Sequence, residues 1–250
     1  MAAAETGIQR ERAKGLSREV IVDACLRLAD EQGSSALTFR RIGRLLGADP
    51  TALYRHFKDK DELLLALADR LIGEALKDFE PGPSWRATIK ELVVRGRRAY
   101  LAHPQVAALA AVRVTRQESE MRFVETMLAT FRQAGFGAED AVRTYRACAD
   151  FMLAWTGFDA ALKSLGGKSE ADNRAWAEAY AQAPAERFPN ATASAAAMAG
   201  ISDEDNFDFA LELLLDGIEA RLRACVAVRP DVPRAARQSA PPANRREPQA

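Results

Sequence analysis

Cationic and hydrogen-bonding side chains are concentrated in one short stretch of the chain, residues 38–60. The stretch holds six Lys or Arg against two acidic residues, a local charge of +4, while the formal net charge of the whole chain is zero. It ends in YRHFKDK, which groups a phenol, an imidazole and cationic side chains. Such groups contact phosphates and base edges. The sequence therefore predicts a local nucleic-acid contact on a protein whose balanced charge argues against coating nucleic acid.

Two short helices are predicted to position these side chains. Ile42 and Leu46 share one face of the first helix, which Gly47 ends because glycine readily adopts a positive φ. Asp49 then provides an N-cap oxygen, and Pro50 takes the first position of the second helix, where its missing N–H costs nothing. The second helix is predicted to continue for about two turns, to residue 57.

The second helix is predicted to be anchored on one side and exposed on the other. Leu53 and Phe57 form the apolar side. The opposite side presents small and hydrogen-bonding residues: Thr51, Ala52, Arg55 and His56. Gly43 lacks a Cβ and permits the two helices to cross closely. This spacing is typical of a helix-turn-helix, whose second helix enters a DNA major groove. An ordinary helical hairpin with a solvated basic face is the alternative.

The run LTFRRIGRLLGADPTALYRHFKDKDELLLALAD resembles the N-terminal domain of the tetracycline-repressor (TetR) family. The most specific part is LYRHF, followed by a charged turn and KDEL, and the similarity extends over about residues 17–71. The resemblance implies that one set of matched positions contacts bases or adjoining backbone: Arg40, Thr51, Ala52 and Arg55. It implies that a second set contacts phosphates: Thr38, Tyr54, His56 and Lys60.

The chain departs from the family pattern at Phe39, where a small hydroxyl residue is commoner. A phenyl ring cannot donate a hydrogen bond to phosphate. Ala52 offers only a methyl contact, such as that to thymine. Arg40 and Arg55 are therefore expected to make the hydrogen bonds that distinguish one base from another.

Two longer helices are predicted to flank the helix-turn-helix. Ser17 caps the first, which ends near residue 32. Asp59 and Glu62 form an acidic version of the capping box and open a helix over residues 60–79. Arg18 could reach a phosphate or simply be solvated. Residues 1–15 are predicted to be a disordered basic arm that could also touch phosphate or the minor groove.

The composition limits the classes of protein to which this chain can belong. The chain has 250 residues, 48% apolar and 28% charged, as in soluble globular proteins. No apolar run is long enough to span a membrane and no apolar signal core is present, so a cytoplasmic location is expected. Cys25, Cys148 and Cys225 are far apart and are interpreted as packing residues in a reducing compartment. Without a nucleophile elbow, a metal-ligand cluster or a glycine-rich phosphate loop, neither an enzyme nor a metal or other cofactor is predicted.

The chain is predicted to be all-α, with an N-terminal three-helix helix-turn-helix domain and a C-terminal helical domain for ligand binding and dimerisation. The turn EPGPSW (80–85) marks the clearest boundary. The predicted divisions are a basic arm (1–15), a DNA-binding domain (16–63), an effector-binding and dimerisation domain (64–228) and a disordered tail (229–250). Beyond the turn, helices are predicted over 84–102, 104–113, 118–134, 138–165 and 203–227. A long connection over 166–202 is predicted to hold one weaker helix, at 172–182.

Two of these helices, 138–165 and 203–227, are apolar on two sides, and such helices must be buried on two sides. One side can pack within the chain and the other against a second copy, forming a four-helix dimer bundle. The predicted interface residues are Phe151, Trp155, Phe158, Leu211, Leu214, Leu215, Ile218 and Leu222. Because one short helix reads few bases, two of them spaced roughly 34–36 Å apart would read a palindrome.

The segments HPQVAALAAVR, GFGAEDA and FDFALELLLDGIEARL resemble the C-terminal domain of TetR-type repressors. The resemblance implies a small-molecule pocket between the helices of each subunit. The candidate lining residues are His103, Arg113, Met127, Phe131, Tyr145, Met152 and Trp155. Simple core packing is the alternative for each of them.

Together these patterns predict a ligand-responsive, sequence-specific repressor that acts as a homodimer on palindromic operator DNA. Its expected partners are double-stranded DNA, a small-molecule effector and a second copy of itself, with no membrane. An activator or a ligand-independent regulator is the alternative that keeps DNA binding. A helical adaptor protein that does not bind DNA is the other alternative.

Overall fold

The computed structural model describes residues 15–228, and within this range the chain forms helices and loops without a β-strand. The all-α prediction is confirmed. The predicted arm up to residue 14 and the predicted tail at 229–250 lie outside the described residues. The α-helices of this part of the chain are α1 (Arg18–Gln32), α2 (Phe39–Leu46), α3 (Pro50–Leu53), α4 (Lys60–Leu76), α5 (Trp85–Leu101), α6 (Pro104–Ala110), α7 (Glu118–Ala134), α8 (Ala138–Leu165), α9 (Gly167–Ala181), α10 (Pro189–Gly200) and α11 (Asp203–Val228).

Ser17 and Gly47 act as the predicted end signals of the first two helices, and Thr38 adds an N-cap that was not predicted from the sequence. The Ser17 hydroxyl accepts a hydrogen bond from the Val20 N–H at 3.3 Å. The Thr38 hydroxyl accepts from the Arg41 N–H, also at 3.3 Å. Gly47 ends α2 with a φ of 65°, in the left-handed region that favours glycine. The bounds of α1 and the end of α2 are therefore as predicted.

The predicted two-turn helix at residues 50–57 is wrong in extent, because α3 has only one turn of α-helix. Beyond Leu53 the chain continues in tight turns. The N–H groups of Arg55 and His56 bond three residues back, to Ala52 and Leu53 respectively. The N–H of Phe57 bonds four residues back, at 3.0 Å. The segment is therefore ordered to residue 57 although its helix is short.

The apolar core of the N-terminal domain crosses the predicted boundary at residue 63. It includes Leu53 and Phe57 from the short helix, both with no exposed surface. It also includes Leu67 of α4 and residues of the following domain such as Tyr100 and Val106. Helices α1, α4 and α6 therefore pack together through this shared core.

A second core joins α5, α7, α8 and α11. Phe131, Phe136 and Phe207 are fully buried there. At the junction of three helices, the Arg97 guanidinium lies 2.7 Å from the buried Asp159 carboxylate. The same guanidinium lies over the Phe207 ring, 4.2 Å from its centroid. Through these two contacts Arg97 of α5 touches both α8 and α11.

Three predicted extents differ from the structure. Helix α4 ends at Leu76 rather than residue 79, since Lys77 is extended and Asp78 has a φ of 51°. Helix α6 ends at Ala110 rather than residue 113. The predicted loop-rich connection over 166–202 contains two helices, α9 and α10, and Gly166 alone separates α9 from α8. The strong helix propensity of alanine outweighs the scattered Ser, Asn and Pro of this segment.

Within residues 15–228, none of the helices combines the length and the apolar character that a membrane span requires. In the same range, the His, Cys, Asp and Glu side chains form no group of three or more that could hold a metal ion.

Candidate functional site

The short helix α3 is anchored on one side and exposed on the other. Thr51, Tyr54 and Arg55 are exposed, whereas Ala52 and His56 are half-buried. Three further predicted contact residues, at the starts of α2 and α4, are also exposed: Thr38, Arg40 and Lys60. The contact of Phe39 with Tyr54, and the bridge that Arg18 makes between His56 and Glu62, bring the start of α2, α3 and the start of α4 close together. Among the described residues, the side chains of Arg55 and Lys60 form no hydrogen bond or ion pair.

Asp49 orients the start of α3. Its carboxylate accepts hydrogen bonds from the Thr51 N–H at 2.7 Å and from the Thr51 hydroxyl at 2.6 Å. These bonds lower the pKa of Asp49 below its ordinary value. Since the hydroxyl hydrogen is already donated, Thr51 can meet a base only with its oxygen lone pairs or its methyl group.

Phe39, the departure from the family pattern, supports Tyr54. The two rings meet edge to face with centroids 4.5 Å apart. This contact holds the phenol at the surface, where 57% of the residue is exposed. Phe39 therefore positions a hydrogen-bonding group that it cannot itself provide.

Gly43 permits the close crossing of α2 and α3. A Cβ at this position would lie 2.8 Å from the Ala48 carbonyl oxygen and 3.3 Å from the Pro50 nitrogen. Both neighbours are backbone atoms and cannot rotate away. The predicted role of this glycine is confirmed.

Arg18 is a structural anchor rather than a solvated side chain. Its guanidinium donates to the His56 carbonyl oxygen and to the Glu62 carboxylate, the latter at 2.8 Å. It also stacks over the ring of Phe57, 4.2 Å from the centroid. Through these contacts α1 holds the chain between α3 and α4. Sequence reasoning missed this role, since the partners lie 38 and 44 residues further along the chain.

Only half of the predicted capping box at α4 is formed. The Asp59 carboxylate accepts from the Glu62 N–H at 2.8 Å. Glu62 does not return a bond to the Asp59 N–H but accepts from the Lys58 N–H at 2.9 Å. That bond, followed by the bond from Arg18, lowers the pKa of Glu62. Glu62 therefore joins α1, α4 and the turn between α3 and α4.

A cleft of about 460 Å³ opens between α8 and the segment that joins α6 to α7. It continues into an inner cavity of about 60 Å³ that reaches α4 and α5. The two share five wall residues: Arg113, Glu120, Tyr145, Ala149 and Leu153. The inner wall also includes Met152, so three of the seven predicted pocket residues, Arg113, Tyr145 and Met152, line this space.

The other four predicted pocket residues line neither the cleft nor the inner cavity. The His103 ring nitrogen Nδ1 lies 2.7 Å from the Asp30 carboxylate, where it links α6 to α1. Met127 and Phe131 are fully buried in the second core. Trp155 is half-buried and packs on three aromatic rings, those of Phe151, Phe158 and Phe207.

The predicted dimer residues divide between buried and accessible positions. Leu211, Leu215 and Ile218 are at most 6% exposed within the single chain, where they contribute to its own core. They face inward because α11 packs that side on its own core. Phe151, Trp155, Leu214 and Leu222 are half-buried, and Phe158 is 54% exposed. The outward side of α11 instead presents Phe209 and Leu213, which are 64% and 57% exposed.

Both halves of the chain match family models. Residues 21–67 match "Bacterial regulatory proteins, tetR family", and residues 80–222 match "Tetracyclin repressor-like, C-terminal domain". The chain belongs to the TetR family. The second match alone covers more than half of the sequence. The family assignment therefore applies to the effector half as well as to the helix-turn-helix.

Similar TetR-family proteins come from several bacteria. An HTH-type transcriptional regulator of Saccharopolyspora erythraea is 33% identical over 138 residues, which span 55% of this chain and 58% of that relative. Tetracycline repressor protein class D of Escherichia coli is 29% identical over 85% of this chain and 94% of its own length. Among solved structures, Streptomyces coelicolor ActR in complex with actinorhodin superposes with a TM-score of 0.75 and 26% identity, covering 82% of this chain and 96% of ActR.

Proposed function

We propose that this protein is a ligand-responsive transcriptional repressor that binds a palindromic operator as a homodimer in the cytoplasm. The observation that carries the proposal is the short helix α3, which is anchored by two buried side chains and exposes a hydrogen-bonding, cationic face. Membership of a family of bacterial regulatory proteins supports it.

In the proposed complex, α3 lies in the major groove. Arg40 and Arg55 donate to base edges, while the oxygen of Thr51 accepts and the methyl group of Ala52 makes apolar contact. Phosphates are bound by a second set of side chains, Thr38, Tyr54, His56 and Lys60. Lys60 adds its charge to the unpaired N–H groups at the start of α4, where anions are favoured.

A second copy is proposed to pack on the outward sides of α8 and α11. Phe158, Phe209 and Leu213 are large apolar residues that remain exposed on these two helices. Covering them with the same surface of a second chain gives a two-fold interface. The two-fold axis then presents two α3 helices to successive major grooves.

The cleft beside Arg113 and Tyr145 is proposed to hold the effector. Its volume of about 460 Å³ is in the range of small-molecule sites. ActR, which shares the fold, was solved with actinorhodin bound, and this supports a ligand site in the effector half. Ligand binding then favours a position of α4 in which the two α3 helices no longer fit the operator. Coupling of this kind is typically about 1–3 kcal/mol and reciprocal, so operator DNA weakens ligand binding by the same factor.

The division between base and phosphate contacts can be tested with Arg55→Ala and Lys60→Ala. Arg55→Ala is expected to bring the affinities for an operator duplex and a scrambled duplex closer together, a loss of discrimination of about 1–3 kcal/mol. Lys60→Ala is expected to weaken both duplexes alike and to reduce the salt dependence. Fluorescence anisotropy titrations at several salt concentrations measure both effects. The reverse pattern would refute this assignment, and failure of the wild-type protein to prefer any duplex would refute the function itself.

A further inference from the structure

Arg113 connects the effector cleft to the DNA-binding end of α4. It lies on the segment between α6 and α7, and it lines both the outer cleft and the inner cavity. Its two terminal nitrogens each lie 2.7 Å from a different carboxylate oxygen of Asp61. Asp61 is the second residue of α4, directly after Lys60. A single side chain thus lines the proposed effector site and pairs with the residue next to a proposed DNA contact.

Arg113 differs in this respect from the other charged groups of the cleft. Arg146 pairs with Asp150 on its own helix at 2.9 Å. The Glu120 carboxylate accepts from the Thr115 hydroxyl at 2.8 Å and from the Arg116 N–H at 2.6 Å, both within its own segment. Among the charged side chains that line the cleft, Arg113 is the one that pairs with the N-terminal end of α4.

The Arg113–Asp61 pair is open to competition. The Asp61 side chain is 59% exposed, and ion pairs in such settings are weak because water screens them. An anion inside the cleft would meet Arg113 beside the half-buried side chains of Tyr145 and Leu153, which shield one side of the ion pair from solvent and so reduce its screening. A carboxylate also matches the planar fork of the guanidinium. A cleft ligand of this charge can therefore outcompete Asp61.

We propose that the effector is an organic carboxylate with an apolar body, and that it acts by drawing Arg113 away from Asp61. This proposal rests on the proposed function, since it names the ligand class and the trigger of the same site. Loss of the pair frees the start of α4 from the cleft wall. It also leaves the Asp61 carboxylate without a counter-charge next to Lys60, where it repels the operator phosphates. Both consequences lower the affinity for DNA.

The ligand class is tested by thermal shift with benzoate, 2-naphthoate and anthracene-2-carboxylate, each beside its carboxamide. At least one acid is expected to raise the melting temperature of the wild-type protein where its amide does not. Arg113→Gln is expected to lose this preference. Asp61→Asn is expected to bind the same acid several-fold more tightly, because the internal competitor is gone. Arg146→Gln, which removes the other cation of the cleft, is the matched control and should keep the preference.

An equal response to acids and amides overturns the proposal, as does the absence of a response to every acid. Loss of the preference in Arg146→Gln but not in Arg113→Gln overturns it as well. The thermal midpoint of each unliganded variant reports whether it is folded, and Asp61→Asn provides a second test of the pair should Arg113→Gln be unstable.

The trigger is tested by anisotropy with a duplex selected by the wild-type protein. The acid that binds best is expected to weaken wild-type binding by about fivefold or more. Asp61→Asn binds the acid but has no pair to break, so adding the acid should leave the DNA affinity of this variant unchanged from its value without the acid. A wild-type response in Asp61→Asn overturns the trigger. Failure of the wild type to select any duplex overturns the proposed function instead, while the acid preference remains measurable without DNA.

Discussion

Replacement of Arg18 by alanine is expected to disorder the chain between α3 and α4. The change removes the ion pair to Glu62, the hydrogen bond to the His56 carbonyl oxygen and the stacking on Phe57. At the lower ends of their usual ranges, a charged hydrogen bond contributes about 1.5 kcal/mol, a cation–π contact about 0.5 kcal/mol and an exposed ion pair about 0.2 kcal/mol. These low values are used because the Arg18 side chain is 42% exposed and water screens its contacts. The expected loss of folding free energy is about 2 kcal/mol.

A loss of about 2 kcal/mol predicts a melting temperature roughly 4–8 °C lower for a domain of this size. DNA affinity is expected to fall by about tenfold, since part of the binding energy must then order the segment around His56. The assay is anisotropy titration of a selected duplex over a range of salt concentrations, together with thermal unfolding. Arg18→Lys serves as the control, because it keeps the charge but cannot provide the planar fork.

The salt dependence separates the anchoring role from a direct phosphate contact. An anchor leaves the slope of log K against log salt unchanged in Arg18→Ala, whereas loss of one phosphate contact reduces it by about 0.9. An anchor also makes Arg18→Lys nearly as weak as Arg18→Ala. A reduced slope with a wild-type melting temperature would refute the anchoring role.

Three further predictions concern packing and assembly. Gly43→Ala should destabilise the protein by about 1–3 kcal/mol in chemical denaturation, because the added Cβ meets backbone atoms. Gly157→Ala is the control and should not destabilise it, since nothing lies within 4 Å of the added Cβ. Equal stability of the two variants would contradict this packing. Burial raises the pKa of the Cys25 and Cys148 thiols to about 12. Both thiols should therefore stay protonated at pH 8 and react with DTNB only after unfolding. Rapid reaction of either cysteine in the native protein would show that its helix is not packed as described. Phe209→Glu should convert a dimer into monomers in sedimentation velocity experiments, and a persistent dimer would place the interface elsewhere.

The features that could be predicted from sequence are those set by neighbouring residues. Ser17, Thr38 and Gly47 act on the next few backbone groups, so the bounds of α1 and α2 follow from them. The apolar spacing of Leu53 and Phe57 likewise gives the buried side of α3, although hydrogen bonding shortens its helix to one turn. The all-α class follows from the same periodicity.

The features that could not be predicted depend on partners distant in sequence. His103 has the character of a pocket residue, but Asp30, 73 residues away, binds it. Arg113 was a candidate lining residue, yet its pairing with Asp61 could not be foreseen. Periodicity predicts a broad apolar surface on α11 without indicating which part faces inward, and Leu211, predicted for the dimer interface, is buried in the core of the single chain. Contacts between distant segments decide such cases.

The central claim is that two copies of α3 are presented together to successive major grooves. Selection of bound duplexes from a random library by the full chain tests it most directly. The enriched sequences are predicted to be palindromic, with half-site centres about 10–10.5 base pairs apart or a multiple of that spacing. Enrichment of a single unrepeated half-site, or no enrichment at all, would contradict the account.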